Sequence, residues 1–328
     1  MQIRYRRVLC TLGLILGICG LNRPVLASFP DRPVTLTVPV GPGGGTDLLA
    51  RQLAKTLSQK WKQPVVVENR TGAAGIIGAE YVMKQAADGY NLLLSHDGVF
   101  TATPILYKRP DFKPLEHLAP ISEVAIQPYV AVVNPSVPVK TMAGLIALIK
   151  RMNKEKKPFG FATSALGSAD HMAGEKFQLA CGVHMLIVPY KSTAPAITDV
   201  AGGHVPFGFF SPAAALPLIK SGTLRALAIT TPHRSDLVPG LPTVAETLPG
   251  YHANAWFGVW APAGTPAPIL NQISKDIAMA VKTPEMAKLM KLNGLAPATS
   301  SPSEFAAFIK QDAAHTAELI RRAHIKVQ

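Results

Sequence analysis

The chain has 328 residues, 48% hydrophobic and 16% charged, with 33 Lys and Arg against 20 Asp and Glu. At roughly 150 residues per domain this is room for about two domains with substantial cores, which excludes a single small binding module. The 26 Gly and 29 Pro are spread along the chain, which excludes collagen-like and low-complexity classes, and three cysteines make no disulfide framework.

Residues 1–27 predict a cleaved leader. Arg4, Arg6 and Arg7 form a basic start, Val8 to Leu21 an apolar stretch, and Val25-Leu26-Ala27 a small-residue cleavage site. An uncleaved anchor is the alternative, but a span needs about 20 apolar residues, and this run stops at Asn22-Arg23-Pro24. Attachment through Cys19 is disfavoured by Ile18, which stands where a small residue is usual. Cleavage after Ala27 leaves 29 basic against 20 acidic residues, a net charge of +9. It also leaves one cysteine, Cys181, on the apolar stretch Leu179-Ala180-Cys181, where a buried, inert thiol is expected. No later run is apolar for long enough to span a membrane, so the exported product is expected to be soluble.

The rest alternates strand-like and helix-like patterns, which predicts α/β architecture with mostly parallel sheets. Val34, Leu36 and Val38 alternate as a strand, a glycine-rich turn follows, and Thr46 caps a helix carrying Leu49, Leu53, Leu57 and Trp61 on one face. Strand Val65–Val67, a helix ending near Gln85 and strand Leu92–Leu94 complete a first block. A second opens at Tyr129–Val133 and runs through a helix capped by Thr141, strand Phe159–Ala162 and a helix carrying Met172 and Phe177. Strand Met185–Val188, helix Pro195–Ala201 and strands Val205–Phe210 and Leu224–Ile229 finish it. Trp256–Trp260 reads as a return strand, and Ser301-Pro302-Ser303-Glu304 starts a helical tail with a capping box.

Strand-to-helix loops carry the candidate chemistry. In Gly41-Pro42-Gly43-Gly44-Gly45-Thr46-Asp47 the glycines allow close backbone approach, and the free N–H groups at the helix start suit an anion such as a carboxylate; a merely tight turn is the alternative. The loop lacks the Gly-Lys-Ser/Thr of a P-loop and the last glycine of a dinucleotide fingerprint. Thr163-Ser164-Ala165-Leu166-Gly167-Ser168 offers hydroxyls and amides to the other end of a small anion, unless Ser168 only caps its helix. His171, one turn on, is either a structural histidine or a polar contact. Tyr190-Lys191-Ser192 and Ser95-His96-Asp97-Gly98 are two further loops of the same kind, with a solvated turn as the alternative for each.

Enzyme and nucleic-acid readings find little support. There is no Gly-x-Ser-x-Gly elbow, His-Glu-x-x-His or Cys-x-x-Cys, and the basic residues are scattered apart from Lys150-Arg151 and Lys154 to Lys157. No cofactor is expected.

Six segments in order carry a resemblance: Val38 to Asp47, Val67 to Gly75, Ala87-Asp88-Gly89-Tyr90, Val188-Pro189-Tyr190-Lys191, Pro242 to Glu246 and Ala261 to Pro266. Over essentially the whole mature chain the sequence resembles the Bug-type extracytoplasmic solute receptors of tripartite tricarboxylate transporters. That resemblance implies a two-lobed, type II periplasmic-binding fold: residues 28–128 and 256–328 form one lobe and 129–255 the other, with a cleft between them and two crossovers. It also implies a periplasmic monomer that binds a small carboxylated solute and hands it to membrane permease subunits. A receptor signalling to a membrane partner is the alternative, and an exported hydrolase a more distant one.

Carried over, Gly43, Gly44, Thr46, Asp47 and Ser95 form the first-lobe side of the site. Thr163, Ser164, Gly167, Ser168 and His171 form the second-lobe side, with Tyr190, Ser192 and Phe210 beside them. Three departures from the family pattern bear on specificity. Ser192 replaces a usual Gly and Ala165 another, and Phe210 stands where many members carry an acid. Because Phe cannot pair with an ammonium group, the expected ligand lacks an amino group and has an apolar or aromatic body.

Overall fold

The computed structural model describes residues 29–43 and 45–325. The leader expected over 1–27 lies outside the described residues. In chain order the elements are β1 (Val34–Val38), α1 (Gly45–Trp61), β2 (Val65–Asn69), α2 (Ile76–Met83), β3 (Asn91–His96), the short helices α3 (Gly98–Thr101), α4 (Thr103–Leu106) and α5 (Pro114–His117), and β4 (Leu118–Pro128). Then come β5 (Val130–Val133), α6 (Met142–Lys154), β6 (Gly160–Thr163), α7 (Ala169–Cys181), β7 (Leu186–Pro189), α8 (Thr193–Ala201), β8 (Phe207–Phe210), α9 (Pro212–Lys220) and β9 (Arg225–Ile229). The chain ends with β10 (Asn254–Pro262), α10 (Ala267–Val281), α11 (Pro284–Leu292), β11 (Ala296–Pro297) and α12 (Pro302–Arg322).

The strands form two sheets, one of order β11-β4-β10-β3-β1-β2 and one of order β7-β6-β8-β5-β9. Val34, Leu36 and Val38 are buried as the alternation predicts, but Thr37 between them is buried too, because helices cover both faces of a central parallel strand. The stripe Leu49, Leu53, Leu57 and Trp61 buries α1 against this sheet, and Trp61 donates its indole N–H to Asp276 of α10 at 2.6 Å. In the second sheet Phe209 packs edge to face with Phe161, Phe177 and Phe207, and Gly174 of α7 leaves room for the Phe161 ring.

The sheets are mixed rather than mostly parallel. The β1·β2, β1·β3, β6·β7 and β6·β8 pairs are parallel, but β10 is antiparallel to β3 and β4, and β5 is antiparallel to β8 and β9. These antiparallel strands bracket the two passages of the chain between the sheets. The pattern does not foresee β4, whose apolar positions are interrupted by Pro120, Glu123 and Gln127. It is held by register with β10 from Asn254 opposite Pro128 to Pro262 opposite Leu118.

The passages lie side by side. The chain crosses from β4 to β5 at Tyr129 and returns between β9 and β10. Tyr129 N–H donates to Thr230 Oγ1 at 2.8 Å, Thr230 N–H donates to Tyr129 O at 2.9 Å, and Thr230 Oγ1 donates to Asn254 Oδ1 at 3.3 Å.

Candidate functional site

A cavity of about 800 Å³ opens between the two sheets. The helices α1, α7, α8 and α9 each follow a strand of their sheet, and each presents its first turn to this space, through Thr46, Ser168 with Asp170, Thr193 and Ser211. The first N–H groups of a helix have no intrahelical acceptor, and the macrodipole places roughly half a positive charge there. The arrangement therefore favours an anion without a lysine or arginine clamp.

The two glycine-containing loops are held by acids from the helices they precede. Asp47, 1% exposed, accepts from Gly43 N–H and from Arg51 Nε, both at 2.9 Å, and from Asn69 Nδ2 at 2.9 Å. Burial works against its ionisation, yet the hydrogen bonds from Arg51, Gly43 and Asn69 outweigh it and hold the carboxyl below its ordinary value. On the other side Asp170 accepts from Ser164 N–H at 2.6 Å, Ser164 Oγ at 2.7 Å and Thr163 Oγ1 at 2.9 Å. Gly167, at φ +80°, donates its N–H to His171 Nδ1 at 3.0 Å, while His171 Nε2 lies 3.3 Å from Glu175. Nδ1 is thus the acceptor nitrogen and Nε2 carries the proton.

Among the expected site residues, Thr46, Ser164, Gly167, Ser168 and Phe210 line the cavity. Asp47, Thr163 and His171 are buried behind it, and their polar atoms hold the loops. Gly43 is exposed and keeps φ +84°, and Gly44 lies outside the described residues. Ser95 is fully buried opposite Gly258 of β10, and the cavity is met instead by His96, Asp97 and Gly98, because the strand turns Ser95 into the protein. Tyr190 donates its hydroxyl to Asp199 at 2.6 Å; burial and that bond push its phenol up to about 12. Ser192 is exposed at the N-cap of α8 with no side-chain cap bond, and its neighbour Thr193 lines the cavity in its place. Phe210 is 1% exposed and packs in the core of the second sheet, although the residue lies on the cavity lining.

Sequence reading missed Tyr129, Thr193, Ser211 and Trp256, all on the lining. Ser211-Pro212 repeats the Ser-Pro helix start read at Ser301-Pro302 and was a usable signal; Tyr129 and Trp256 gave none, because strand-like apolar residues show no side preference until the sheets pair.

The end of the cavity between α7 and α12 is different in character. Lys176 of α7 donates to His252 O at 2.6 Å, and Asp312 of α12 accepts from Trp256 Nε1 at 2.8 Å. Burial raises the carboxyls of Asp312 and Glu123 and lowers the Lys176 ammonium and the His252 imidazole. Among the described residues no group of three or more His, Cys, Asp or Glu is placed to hold a metal, and no helix is long and apolar enough to cross a membrane.

A family model described as "Tripartite tricarboxylate transporter family receptor" matches residues 49–325. The chain belongs to this family. The receptor is 38% identical over 325 residues to Protein BugT of Bordetella pertussis (strain Tohama I), covering 98% of this chain and 99% of the relative. It is similar to the solved structure of R. palustris Rpa4515 with adipate, at 34% identity and TM-score 0.75, covering 91% of this chain and 99% of that one. It is also similar to MatC from Rhodopseudomonas palustris with bound malate, at 25% identity and TM-score 0.69, covering 89% and 100%. The two sheets and their paired crossovers are thus those of a two-lobed periplasmic-binding-protein fold. The receptor is a solute-binding protein and not an enzyme.

Proposed function

We propose that this receptor works in the periplasm, closes its two lobes on a small di- or tricarboxylate or related organic acid, and delivers it to the membrane permease subunits of a tripartite tricarboxylate transporter. The observation that carries this reading is the convergence of four helix N-termini, two loops and their hydroxyls on one cavity. Adipate and malate in the two similar structures support the ligand class. The lobes of the proposal are residues 28–128 with 256–328, and residues 129–255, after removal of 1–27. The acid lies between Thr46 on one lobe and Ser164, Gly167 and Ser168 on the other, and bridging contacts favour the closed form. Phe210 itself offers an ammonium group no partner, and on this reading the acid carries none.

A thermal-shift panel tests it. A saturating ligand at 100 times its Kd stabilises the folded state by about 2.7 kcal/mol, so adipate, malate or citrate should raise the melting temperature by several degrees. Stabilisation by aspartate or glutamate alone would overturn the amine-free ligand. Delivery is tested separately: deletion of the permease genes should abolish uptake of the labelled acid while the purified receptor still binds it.

A further inference from the structure

Tyr129 sits where the chain passes from one sheet to the other, and its backbone is locked to Thr230 of the second passage by hydrogen bonds in both directions. Its ring packs in the core of the second sheet and the residue is only 8% exposed, yet it lines the cavity between the lobes. Its hydroxyl makes no hydrogen bond among the described residues, in contrast to Tyr90, Tyr190 and Tyr251, whose hydroxyls bond to Asp31, Asp199 and Ala173 O. Among the described residues only Thr37 Oγ1 and Ser95 Oγ are side-chain polar atoms sealed from solvent without a partner, so the Tyr129 hydroxyl is reached from the cavity and its hydrogen bond is open to water or to a ligand.

The surroundings say what kind of partner fits. Asp97 follows a strand of the first sheet and Asp170 a strand of the second, and both line the same cavity as Tyr129. Burial and these two negative charges keep the phenol well above its ordinary value, so it stays protonated and is a hydrogen-bond donor. Asp170 already accepts three donors from Thr163 and Ser164. The helix starts at Thr46 and Ser168, on the same cavity, favour negative charge.

We infer that the Tyr129 hydroxyl is a further ligand contact of this receptor, donating a hydrogen bond to an oxygen of the bound acid at the point where the two lobes join. The inference rests on the carboxylate-capture reading above. It adds a contact that neither glycine-containing loop supplies and places it on the crossover itself, where it is made in full only when the acid reaches the floor of the closed cleft.

The test is Tyr129→Phe in the mature chain, which keeps the ring in its core position. Calorimetric titration with malate, citrate and the straight dicarboxylates from malonate to suberate is paired with the melting temperature of the unliganded protein. Because the hydroxyl has no protein partner, its removal should leave the unliganded melting temperature unchanged or slightly raised, while Kd for the bound acid rises about tenfold. An unchanged Kd overturns the inference and leaves the carboxylate reading standing. A melting temperature several degrees lower shows a structural hydroxyl and also overturns it. If no acid in the panel binds the unsubstituted protein, the carboxylate reading fails and the inference falls with it.

Discussion

Asp47, in the first turn of α1, accepts the backbone N–H of Gly43 at 2.9 Å, and so ties the glycine loop back onto the helix that follows it. The same carboxylate holds Asn69 of β2, whose amide also donates to Val40 O at 3.0 Å. Hydrogen bonds thereby join Gly43, the first turn of α1 and the neighbouring strand, and Thr46 beside Asp47 lines the cavity.

Asp47→Ala removes the acceptor for three donors, which costs about 1–3 kcal/mol in stability, read as a lower urea midpoint with native far-ultraviolet dichroism retained. Binding of the acid should weaken as well, because the loop that carries Thr46 is freed. The pH dependence has a definite sign. Its folded value is depressed below the ordinary 3.8, so the contribution is complete above that value and is lost as pH falls through the lower folded value. Urea midpoints of Asp47→Ala and the parent should therefore converge only in strong acid.

His171→Ala strands the Gly167 N–H and leaves Glu175 with Gln178 as its remaining side-chain partner. The expected loss is about 1–3 kcal/mol of stability, together with weaker binding, since Gly167 lines the cavity. His171→Gln, whose amide oxygen can accept from Gly167, should recover part of both in paired denaturation and titration.

Burial pushes the Cys181 thiol up to about 11, so little thiolate is present near neutral pH. An aromatic disulfide reagent at pH 7.5 should react slowly with the native protein and rapidly in urea. Fast reaction of the folded protein would place the thiol at the surface.

Gly258 faces Ser95 in β10, and a Cβ there would overlap the Phe305 ring and meet Trp260 at 3.0 Å. Gly258→Ala should cost about 1–3 kcal/mol, measured as a lower melting temperature. Tryptophan emission should change with it, because Trp256, Trp260 and Phe305 form one aromatic cluster.

Elements whose cause is local are legible in the chain alone. Thr141 caps α6 as expected, Ser168 caps α7 as its alternative reading has it, and Ser301 with Glu304 forms the expected capping box, because a cap needs only residues three positions apart. The stripes of α1 and α6 and the glycine-rich loop before α1 were legible for the same reason. The strand directions, the existence of β4 and the division of labour in the site depend on contacts between residues far apart in the chain. Strand pairing is set by partners more than a hundred residues away, as Asn254 opposite Pro128 shows. Likewise Asp47 and His171 read as candidate contacts, yet in the fold their polar atoms hold Gly43 and Gly167. Tyr129 reads as the start of a strand, yet in the fold it lines the cleft, since which side of a strand meets a cavity is fixed only when two sheets come together.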